Sequence, residues 1–150
     1  MRIALYQPDI AGNVGTLLRL GACLDVAIDL IEPMGFPWSD RALARSGMDY
    51  AGQVEVRRHA DWAAFLATVR GRIVLATTTG AVPLPEARFA PGDVLLLGSE
   101  GAGVPAAVHD RADLRVRVPM RAGLRSLNVA VAGAMLLGEA LRQTEGWPPG

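Results

Sequence analysis

The sequence contains no lysine, one cysteine and two histidines. Arginine alone carries the fixed positive charge, so any contact to a phosphate group must use guanidinium groups, histidine, hydroxyls or backbone N–H groups. A single cysteine, Cys23, excludes an internal disulfide framework and a cluster of thiolate metal ligands. Because His59 and His109 lack the spacing of paired ligands, we expect no metal site. The formal net charge of zero gives no overall field that would point to nucleic acid.

The sequence also has no apolar run long enough to cross a membrane, and no charged leader with an apolar segment precedes the first predicted strand. We therefore expect a cytoplasmic protein that does not contact membranes. With 150 residues, 51% of them hydrophobic, the chain is long enough to build one domain, 1–150, around a sizeable core.

Short aliphatic runs alternate with segments of helical periodicity, which predicts an α/β domain with a parallel sheet flanked by helices on both faces. The predicted strands are Ile3–Tyr6, Val26–Ile31, Val54–Arg58, Ile73–Thr77, Val94–Gly98 and Leu114–Val118. Each predicted helix begins with a capping residue or with a proline in its first turn. These helices are Asn13–Leu24, Ser39–Arg45, Asp61–Val69, Pro105–His109 and Ser126–Gln143.

The last predicted helix is apolar around most of its circumference, with small residues between the large ones. A helix of this kind is buried on more than one side. The last helix of a small domain is difficult to bury twice within one subunit, so we predict a homodimer that forms through this C-terminal helix. A central helix within a single subunit is the alternative.

The first of three segments with potential chemistry is Gln7–Arg19, where a strand ends, a turn follows and Asn13 begins a helix. Arg19, Gly15 and Gly12 have the spacing of residues on one helical face. Since helical side chains lean toward the N-terminus, we expect Arg19 to reach over the two glycines toward the loop, where bare backbone leaves room for a ligand. An ordinary surface arginine is the alternative, and the glycines do not match a dinucleotide fingerprint.

The second segment, Asp93–Pro105, runs from a buried strand into a glycine-rich turn that carries one carboxylate. Glycines permit positive φ angles and the close approach of backbone to a ligand. Glu100 can accept hydrogen bonds from a ligand hydroxyl or amine, or it can cap the next helix. A tight connection between strand and helix is the alternative, and the turn is not the GxSxG elbow of hydrolases.

The third segment, Val116–Ala132, places a strand end, a basic turn and the start of a long helix around one point. We predict Ser126 as the N-cap of this helix, whose free N–H groups can bind an anion or a carboxylate. An ordinary capped helix after a tight turn is the alternative. Four arginines surround the point: Arg115, Arg117, Arg121 and Arg125.

In all three segments a strand ends at a glycine-containing loop, the position where open α/β sheets bind ligands. No acid–base pair or catalytic triad stands out. This pattern favours the binding and positioning of a polar, adenosine-like cofactor over hydrolysis. A nucleotide-dependent enzyme of the doubly wound type would need a dinucleotide fingerprint and an acidic ribose anchor, and the sequence has neither at the expected spacing.

Taken in order, the three segments resemble the three motifs of the SPOUT RNA methyltransferases, in the branch that methylates a ribose 2′-oxygen. Within that branch the chain is similar to the small, stand-alone tRNA (cytidine/uridine) 2′-O-methyltransferases that act at the anticodon wobble position. The residues that carry the resemblance are Asn13 and Arg19, Leu97–Pro105, Val118–Met120, Arg125–Asn128, Ile31–Phe36 and Met48–Tyr50.

The resemblance implies a parallel sheet whose C-terminal part is tied in a deep trefoil knot, a homodimer, and S-adenosyl-L-methionine held in the knot. The knot rests on the resemblance alone, since nothing in the periodicity indicates one. The resemblance assigns the cofactor contacts, mostly through backbone groups, to Ala76, Thr77, Gly98, Glu100, Val118, Met120, Ser126 and Leu127.

For the reaction, the resemblance implies methyl transfer from S-adenosyl-L-methionine to the ribose 2′-oxygen of the wobble cytidine or uridine in tRNA. It assigns Arg19 as the base that activates the hydroxyl. Because guanidinium stays protonated, the alternative is that Arg19 holds the adjacent phosphate and stabilises negative charge on the 2′-oxygen. Asn13, Ser126 and Asn128 are candidates to orient the ribose or Arg19. The four arginines of the third segment, doubled by dimerisation, are the predicted RNA-binding surface.

Three places differ from the pattern of close relatives. Gly101 and Ala102 stand where an arginine or serine is common, Val129–Val131 replaces a polar run, and Gly138 stands where a tyrosine is common. These differences concern the way in which RNA is bound more than the binding of the cofactor. Two alternatives stay open: methylation of another tRNA or rRNA site, and a cofactor- or RNA-binding module of this family without catalysis.

Overall fold

The computed structural model describes residues 1–39, 41 and 50–150. The strands in this part of the chain are β1 (Arg2–Tyr6), β2 (Ala27–Ile31), β3 (Val56–His59), β4 (Ile73–Ala76), β5 (Val82–Pro83), β6 (Val94–Leu97) and β7 (Leu114–Arg117). The helices are α1 (Ala11–Leu24), α2 (Trp62–Leu66), α3 (Ala106–Arg111) and α4 (Val129–Thr144), with 3-10 turns at Ala51–Gln53 and Leu84–Glu86. None of the described helices has the length and hydropathy needed to cross a membrane.

All seven described strands belong to one parallel sheet, in the order β3-β2-β1-β6-β4-β7-β5. The central strands β4 and β6 are aliphatic along their whole length because both of their faces are covered. Helices α1 and α4 pack on one face, around Leu17, Leu97 and Leu137. Helices α2 and α3 pack on the other face, around Phe65 and Leu96. The predicted parallel α/β sheet with helices on both faces is confirmed.

The strand predictions agree with the structure to within one or two residues at each end. The exception is β5, which the sequence pattern does not predict. It consists of Val82 and Pro83 and pairs with β7 at the edge of the sheet. Two residues are too few to show a period of two, and a proline is tolerated there because an edge strand has one side without a partner.

The predicted N-cap of the last helix is wrong. Helix α4 begins at Val129, and its N-cap is Asn128 rather than Ser126. The Oδ1 of Asn128 accepts hydrogen bonds from the N–H groups of Ala130 and Val131, at 2.9 and 3.2 Å. Both residue types are good caps, and the one that directly precedes the helical backbone satisfies its first free N–H groups.

The other helix starts show one further correction. Helix α1 begins at Ala11, two residues before Asn13, and no side chain caps it. Asp61 caps α2 as predicted, because its Oδ1 accepts a hydrogen bond from the N–H of Ala64 at 2.8 Å. The predicted helix at 39–45 falls almost entirely outside the described residues.

Helix α4 is buried on one side of a single chain rather than on all sides. Gly133, Leu136 and Leu137 face the sheet and are buried. Val131 and Met135 are 49% and 43% exposed. These two residues are one helical turn apart, so they form an apolar outer stripe that the subunit itself does not cover.

Arginines at the starts of two strands hold two buried carboxylates. Arg2, in β1, donates hydrogen bonds to both oxygens of Asp29, at 2.6 and 3.2 Å. Arg72, directly before β4, donates to both oxygens of Asp93, at 2.9 and 2.8 Å. Burial acts to lower the pKa of Arg2, but the hydrogen bond and charge of Asp29 outweigh it and raise that pKa. The hydrogen bond to Asp93 likewise raises the pKa of Arg72.

Candidate active site

A cavity of about 540 Å³ opens at the carboxyl ends of β4, β6 and β7. In a parallel sheet the loops after neighbouring strands converge at this edge, where open α/β sheets bind ligands. The volume is in the range of sites for small molecules and cofactors. Strand ends supply aliphatic lining and the loops supply glycine, hydroxyl and amide groups. The lining residues are Ile10, Asn13, Leu75–Thr78, Leu97–Glu100, Gly103, Val104, Val116, Val118, Met120, Ser126–Val129, Ala132 and Leu136.

All eight residues that the resemblance assigns to the cofactor lie in the wall of this cavity. Three segments supply them: the end of β4, the turn after β6, and the segment between β7 and α4. In that order they are Ala76, Thr77, Gly98, Glu100, Val118, Met120, Ser126 and Leu127. Residues that are up to 51 positions apart in the sequence are thus brought to one ligand-sized space.

The turn after β6 is closed on itself. The N–H of Ser99 donates to the carbonyl oxygen of Gly103 at 3.0 Å, and the N–H of Gly103 donates to that of Ser99 at 2.8 Å. A Cβ on Gly98 would lie 2.8 Å from the carbonyl carbon of Gly103, so this position requires glycine. The turn therefore presents backbone to the cavity at close range.

Hydrogen bonds between three side chains join the three loops. The Nδ2 of Asn13 donates to Oε1 of Glu100 at 3.1 Å, and the Nδ2 of Asn128 donates to Oδ1 of Asn13 at 2.9 Å. Asn128 in turn caps α4. The two asparagines, which the sequence suggests as groups that orient the ribose or Arg19, are therefore engaged with the protein and hold the loops in place. Their assigned role toward a substrate stays a prediction.

Ser126, unlike the two asparagines, is not held by side-chain hydrogen bonds to the described residues. It lines the cavity, and its hydroxyl makes no hydrogen bond within the part of the chain that the structure describes. Because Asn128 has taken over the capping of α4, this hydroxyl is available to a ligand.

Arg19 does not lie where the sequence suggests. It is exposed on the outside of α1 and does not line the cavity. Its guanidinium carbon lies 5.1 Å from the centre of the Tyr50 ring, in the geometry of a cation–π contact. The expected reach over Gly12 and Gly15 toward the first loop is therefore absent in the single chain. The aromatic partner was not visible in the sequence because it lies 31 residues away.

The four arginines predicted to bind RNA do not form one open cluster. Arg115 is half-buried, and its Nη1 donates to the carbonyl oxygens of His109 and Ala112, at 2.8 and 3.0 Å. It secures the end of α3 through this one nitrogen. Arg121 and Arg125 are exposed in the turn before α4, and Arg117 is half-buried at the end of β7. Arg117, Arg121 and Arg125 follow one another along the path from β7 to α4, and all four arginines stay predicted RNA contacts.

One polar residue beside the cavity, Asp9, is not predicted from the sequence. Asp9 accepts a hydrogen bond at Oδ2 from the hydroxyl of Ser99, at 2.8 Å. A carboxylate two residues before a helix is a weak signal, because such residues commonly serve as caps. Asp9 and Glu100 do not form a metal site: the described residues contain no group of three or more His, Cys, Asp or Glu side chains able to hold a metal ion.

Comparison with known proteins places this geometry in a family. A family model described as the SpoU rRNA Methylase family matches residues 1–138, which include the whole cavity. The chain belongs to this family. The tRNA (cytidine(34)-2'-O)-methyltransferase of Ancylobacter novellus is 53% identical to it over 150 residues, covering 98% of this chain and 95% of that protein.

Two solved structures share the fold. One, described as giving structural insights into the 2-OH methylation of C/U34 on tRNA, has a TM-score of 0.89 and 42% identity, and the match covers 95% of this chain and 94% of that chain. The AdoMet-bound rRNA methyltransferase of Sinorhizobium meliloti has a TM-score of 0.82 and 27% identity, with 94% and 55% covered. The likeness therefore spans nearly all of this chain.

Proposed function

We propose that this chain is an S-adenosyl-L-methionine-dependent methyltransferase that methylates the ribose 2′-oxygen of cytidine or uridine 34, the wobble nucleotide, of tRNA. One observation carries the proposal. The loops of all three motifs meet at a single ligand-sized cavity, in a chain that is 53% identical to a tRNA (cytidine(34)-2'-O)-methyltransferase. The solved structure concerned with C/U34 supports the same substrate.

The cavity suits S-adenosyl-L-methionine, which supplies an electrophilic methyl group when bound. Leu75, Leu97 and Val116 give the cavity an apolar floor that suits a purine ring. Backbone groups at Gly98 and the hydroxyls of Thr77 and Ser126 supply polar partners at its rim. The AdoMet-bound neighbour from Sinorhizobium meliloti supports this cofactor.

The chain's own residues must position the 2′-hydroxyl and favour the loss of its proton. Positioning alone lowers the barrier of such a transfer by several kcal/mol. The free hydroxyl of Ser126 is placed to orient the ribose, with Asn13 and Asn128 fixing the loops around it. Arg121 and Arg125, exposed beside Ser126, are placed to bind the phosphates of the RNA.

A homodimer resolves the position of Arg19. Because Arg19 does not line the cavity of its own chain, we propose that it acts at the cavity of a second subunit. The apolar surface for such a dimer is present: Val131 and Met135 on α4, together with the exposed Ile10 and Leu127. Arg19 would there stabilise negative charge on the 2′-oxygen or act as its base, the two roles that the family resemblance leaves open.

Mixed dimers test this arrangement. Arg19→Ala is expected to abolish turnover while binding of S-adenosylhomocysteine is unchanged. Gly98→Ala, which disturbs the cavity turn, is expected to abolish both. Random subunit exchange between the two variants should restore about a quarter of wild-type activity, because half of the dimers are mixed and each holds one complete site of two. No recovery in mixed dimers would place Arg19 in its own subunit's site.

The proposal also includes one domain over 1–150, a deep C-terminal trefoil knot and a cytoplasmic location. The SPOUT resemblance alone supports the knot.

The deciding experiment is the transfer of labelled methyl from S-adenosyl-L-methionine to unfractionated tRNA that lacks this modification. We expect label in 2′-O-methylcytidine or 2′-O-methyluridine, mapped to position 34. Label at another nucleotide would assign a different site to the same reaction. Cofactor binding without incorporation into tRNA or rRNA would contradict catalysis and leave a binding module.

A further inference from the structure

The tip of the turn after β6 has almost no side chains of its own to hold it. Residues 101 and 102 are glycine and alanine. The paired backbone hydrogen bonds between Ser99 and Gly103 close the base of the turn and leave the tip, Glu100–Ala102, without a backbone partner inside it. Since this turn forms one wall of the cavity, its orientation must be set by contacts from elsewhere.

Asp9, which lies between β1 and α1, makes those contacts. Its Oδ2 accepts hydrogen bonds from the hydroxyl of Ser99 at 2.8 Å and from the N–H of Gly101 at 3.3 Å. Its backbone N–H donates to Oε2 of Glu100 at 2.7 Å. The hydroxyl of Ser99 also accepts from the N–H of Ala102, at 3.4 Å. Asp9 thus bonds directly to residues 99, 100 and 101, and it reaches Ala102 only through the hydroxyl of Ser99.

Asp9 is itself confined. The N–H of Gly35 donates to the carbonyl oxygen of Pro8 at 2.9 Å, which brings the backbone of Gly35 against Asp9. A Cβ at position 35 would lie 2.8 Å from Oδ1 of Asp9 and 3.0 Å from its Cα. The backbone of Gly35 therefore packs against the Oδ1 side of Asp9, and Oδ2 is directed to the turn.

We propose that Asp9 is a positioning residue for the cofactor cavity: it acts through the turn 99–102 and does so as a hydrogen-bond acceptor. Both of its side-chain bonds to the turn end on the same oxygen, and no described cation forms an ion pair with it. An uncharged acceptor of the same shape should therefore serve as well as the carboxylate. This inference rests on the proposed function only in identifying the cavity's ligand.

The test compares Asp9→Ala, Asp9→Asn and Ser99→Ala in the full-length protein. Removing two hydrogen bonds, each of modest strength, should raise the Kd of S-adenosylhomocysteine about tenfold in Asp9→Ala, measured by calorimetry. Asp9→Asn keeps an acceptor oxygen and should stay within about twofold of wild type, and Ser99→Ala should fall between them. Asp110→Ala, an exposed carboxylate outside the cavity, is the matched control and should not change the Kd.

Activity adds a separate measure. Asp9→Ala should raise KM for S-adenosyl-L-methionine more than it lowers kcat, because the turn binds the cofactor before and during the reaction alike. A purely structural role would instead lower the thermal unfolding temperature of Asp9→Ala and leave the Kd of the folded fraction unchanged, which would overturn the proposal.

Amide hydrogen exchange tests the positioning without any cofactor. The N–H groups of Gly101 and Ala102 should exchange faster in Asp9→Ala than in wild type and be protected again in Asp9→Asn. Unchanged exchange in Asp9→Ala, or an Asp9→Asn variant as weak as Asp9→Ala, would overturn the acceptor role. If wild type does not bind S-adenosylhomocysteine while exchange follows this pattern, the proposed function fails and the positioning role stands.

Discussion

Two buried carboxylates of the sheet and two carboxylates beside the cavity differ in whether an arginine is among their partners. Asp29 and Asp93 are buried in the sheet, and each is held by two nitrogens of an arginine. Asp9 and Glu100, beside the cavity, are bound by hydroxyl, amide and backbone N–H groups. Each sheet carboxylate therefore has a guanidinium partner, in addition to His59 at Asp29 and the N–H of Ala90 at Asp93, whereas Asp9 and Glu100 have only neutral donors within the described part of the chain.

The difference separates stability from ligand binding. Removing one partner of a buried ion pair leaves an uncompensated charge in the interior and costs about 3–5 kcal/mol. A neutral hydrogen bond contributes about 0.5–1.5 kcal/mol, and its loss at an open site is partly made good by water. We therefore expect substitutions in the sheet pairs to lower the free energy of unfolding, and substitutions beside the cavity to reduce cofactor affinity more than stability.

The largest effect should come from Arg2→Ala. Asp29 is only 2% exposed, and without Arg2 its buried charge keeps, among the described residues, only the ring Nε2 of His59, at 2.8 Å, as a side-chain partner. We expect the free energy of unfolding to fall by about 3 kcal/mol, the low end for such pairs because Arg2 itself is partly exposed. Urea unfolding with an unchanged slope is the measurement, and the Kd for S-adenosylhomocysteine of the folded protein should not change.

The matched control for Arg2 is Arg57→Ala. Arg57 pairs with Glu55 at 2.8 Å, but both side chains are more than half exposed. Its removal should change the free energy of unfolding by less than about 1 kcal/mol. Equal losses for Arg2→Ala and Arg57→Ala would show that burial does not set the strength of these pairs and would remove the basis of the comparison.

A smaller loss of stability is expected from substitutions of Asn128, which both caps α4 and bonds to a residue of the candidate active site. Asn128→Ala removes the cap of α4 and the link to Asn13, so the free energy of unfolding should fall by about 1 kcal/mol and cofactor affinity should fall as well. Asn128→Asp keeps a capping oxygen but cannot donate to Asn13. Thermal unfolding and calorimetry should show stability preserved and affinity reduced in this variant. A loss of stability of the same size in both variants would show that the cap and the bond to Asn13 do not contribute separately to stability and affinity.

Much of the fold could be predicted because each element carries its own local signal. The aliphatic runs of β4 and β6 indicate strands covered on both faces, and the alternation with helices indicates parallel pairing. The parallel sheet and its loops predict a ligand site at the carboxyl ends of the strands, but the individual cofactor residues could be named only through the family resemblance.

The remaining features depend on contacts between distant residues or on a choice between close equivalents. Ser126 and Asn128 are both good caps, and only the backbone path decides between them. The contacts of Arg19 with Tyr50 and of Asp9 with Ser99 join residues 31 and 90 positions apart, which no local pattern records. Arg115 is a different case, because its carbonyl partners, His109 and Ala112, lie close in sequence but are backbone groups, which side-chain patterns do not record.

The smallest loss of stability is expected from substitution of Glu139, a carboxylate that is paired with an arginine but is not fully buried. Glu139 accepts hydrogen bonds from Arg142 at 2.9 and 2.8 Å, as Asp93 does from Arg72, but its side chain is 24% exposed whereas that of Asp93 is 1% exposed. The hydrogen bond from Arg142, followed by that from Gln143, lowers the pKa of Glu139 from 4.5 to about 2. Because the pKa is lower in the folded chain, ionised Glu139 favours the folded state above pH 4.5, and this contribution is lost as the pH falls toward 2.

Glu139→Gln removes the charge and keeps an acceptor for Arg142 and Gln143. Since water and salt screen an exposed pair, we expect the variant to unfold only slightly below the temperature of wild type at pH 7. The difference should shrink as the pH is lowered from 4.5 toward 2 and as salt is added. Thermal unfolding across that pH range is the measurement. A loss of stability as large as that of Arg2→Ala would mean that pairing with arginine, and not burial, sets how much the sheet carboxylates stabilise the fold. A difference that does not depend on pH would mean that the charge of Glu139 is not its source.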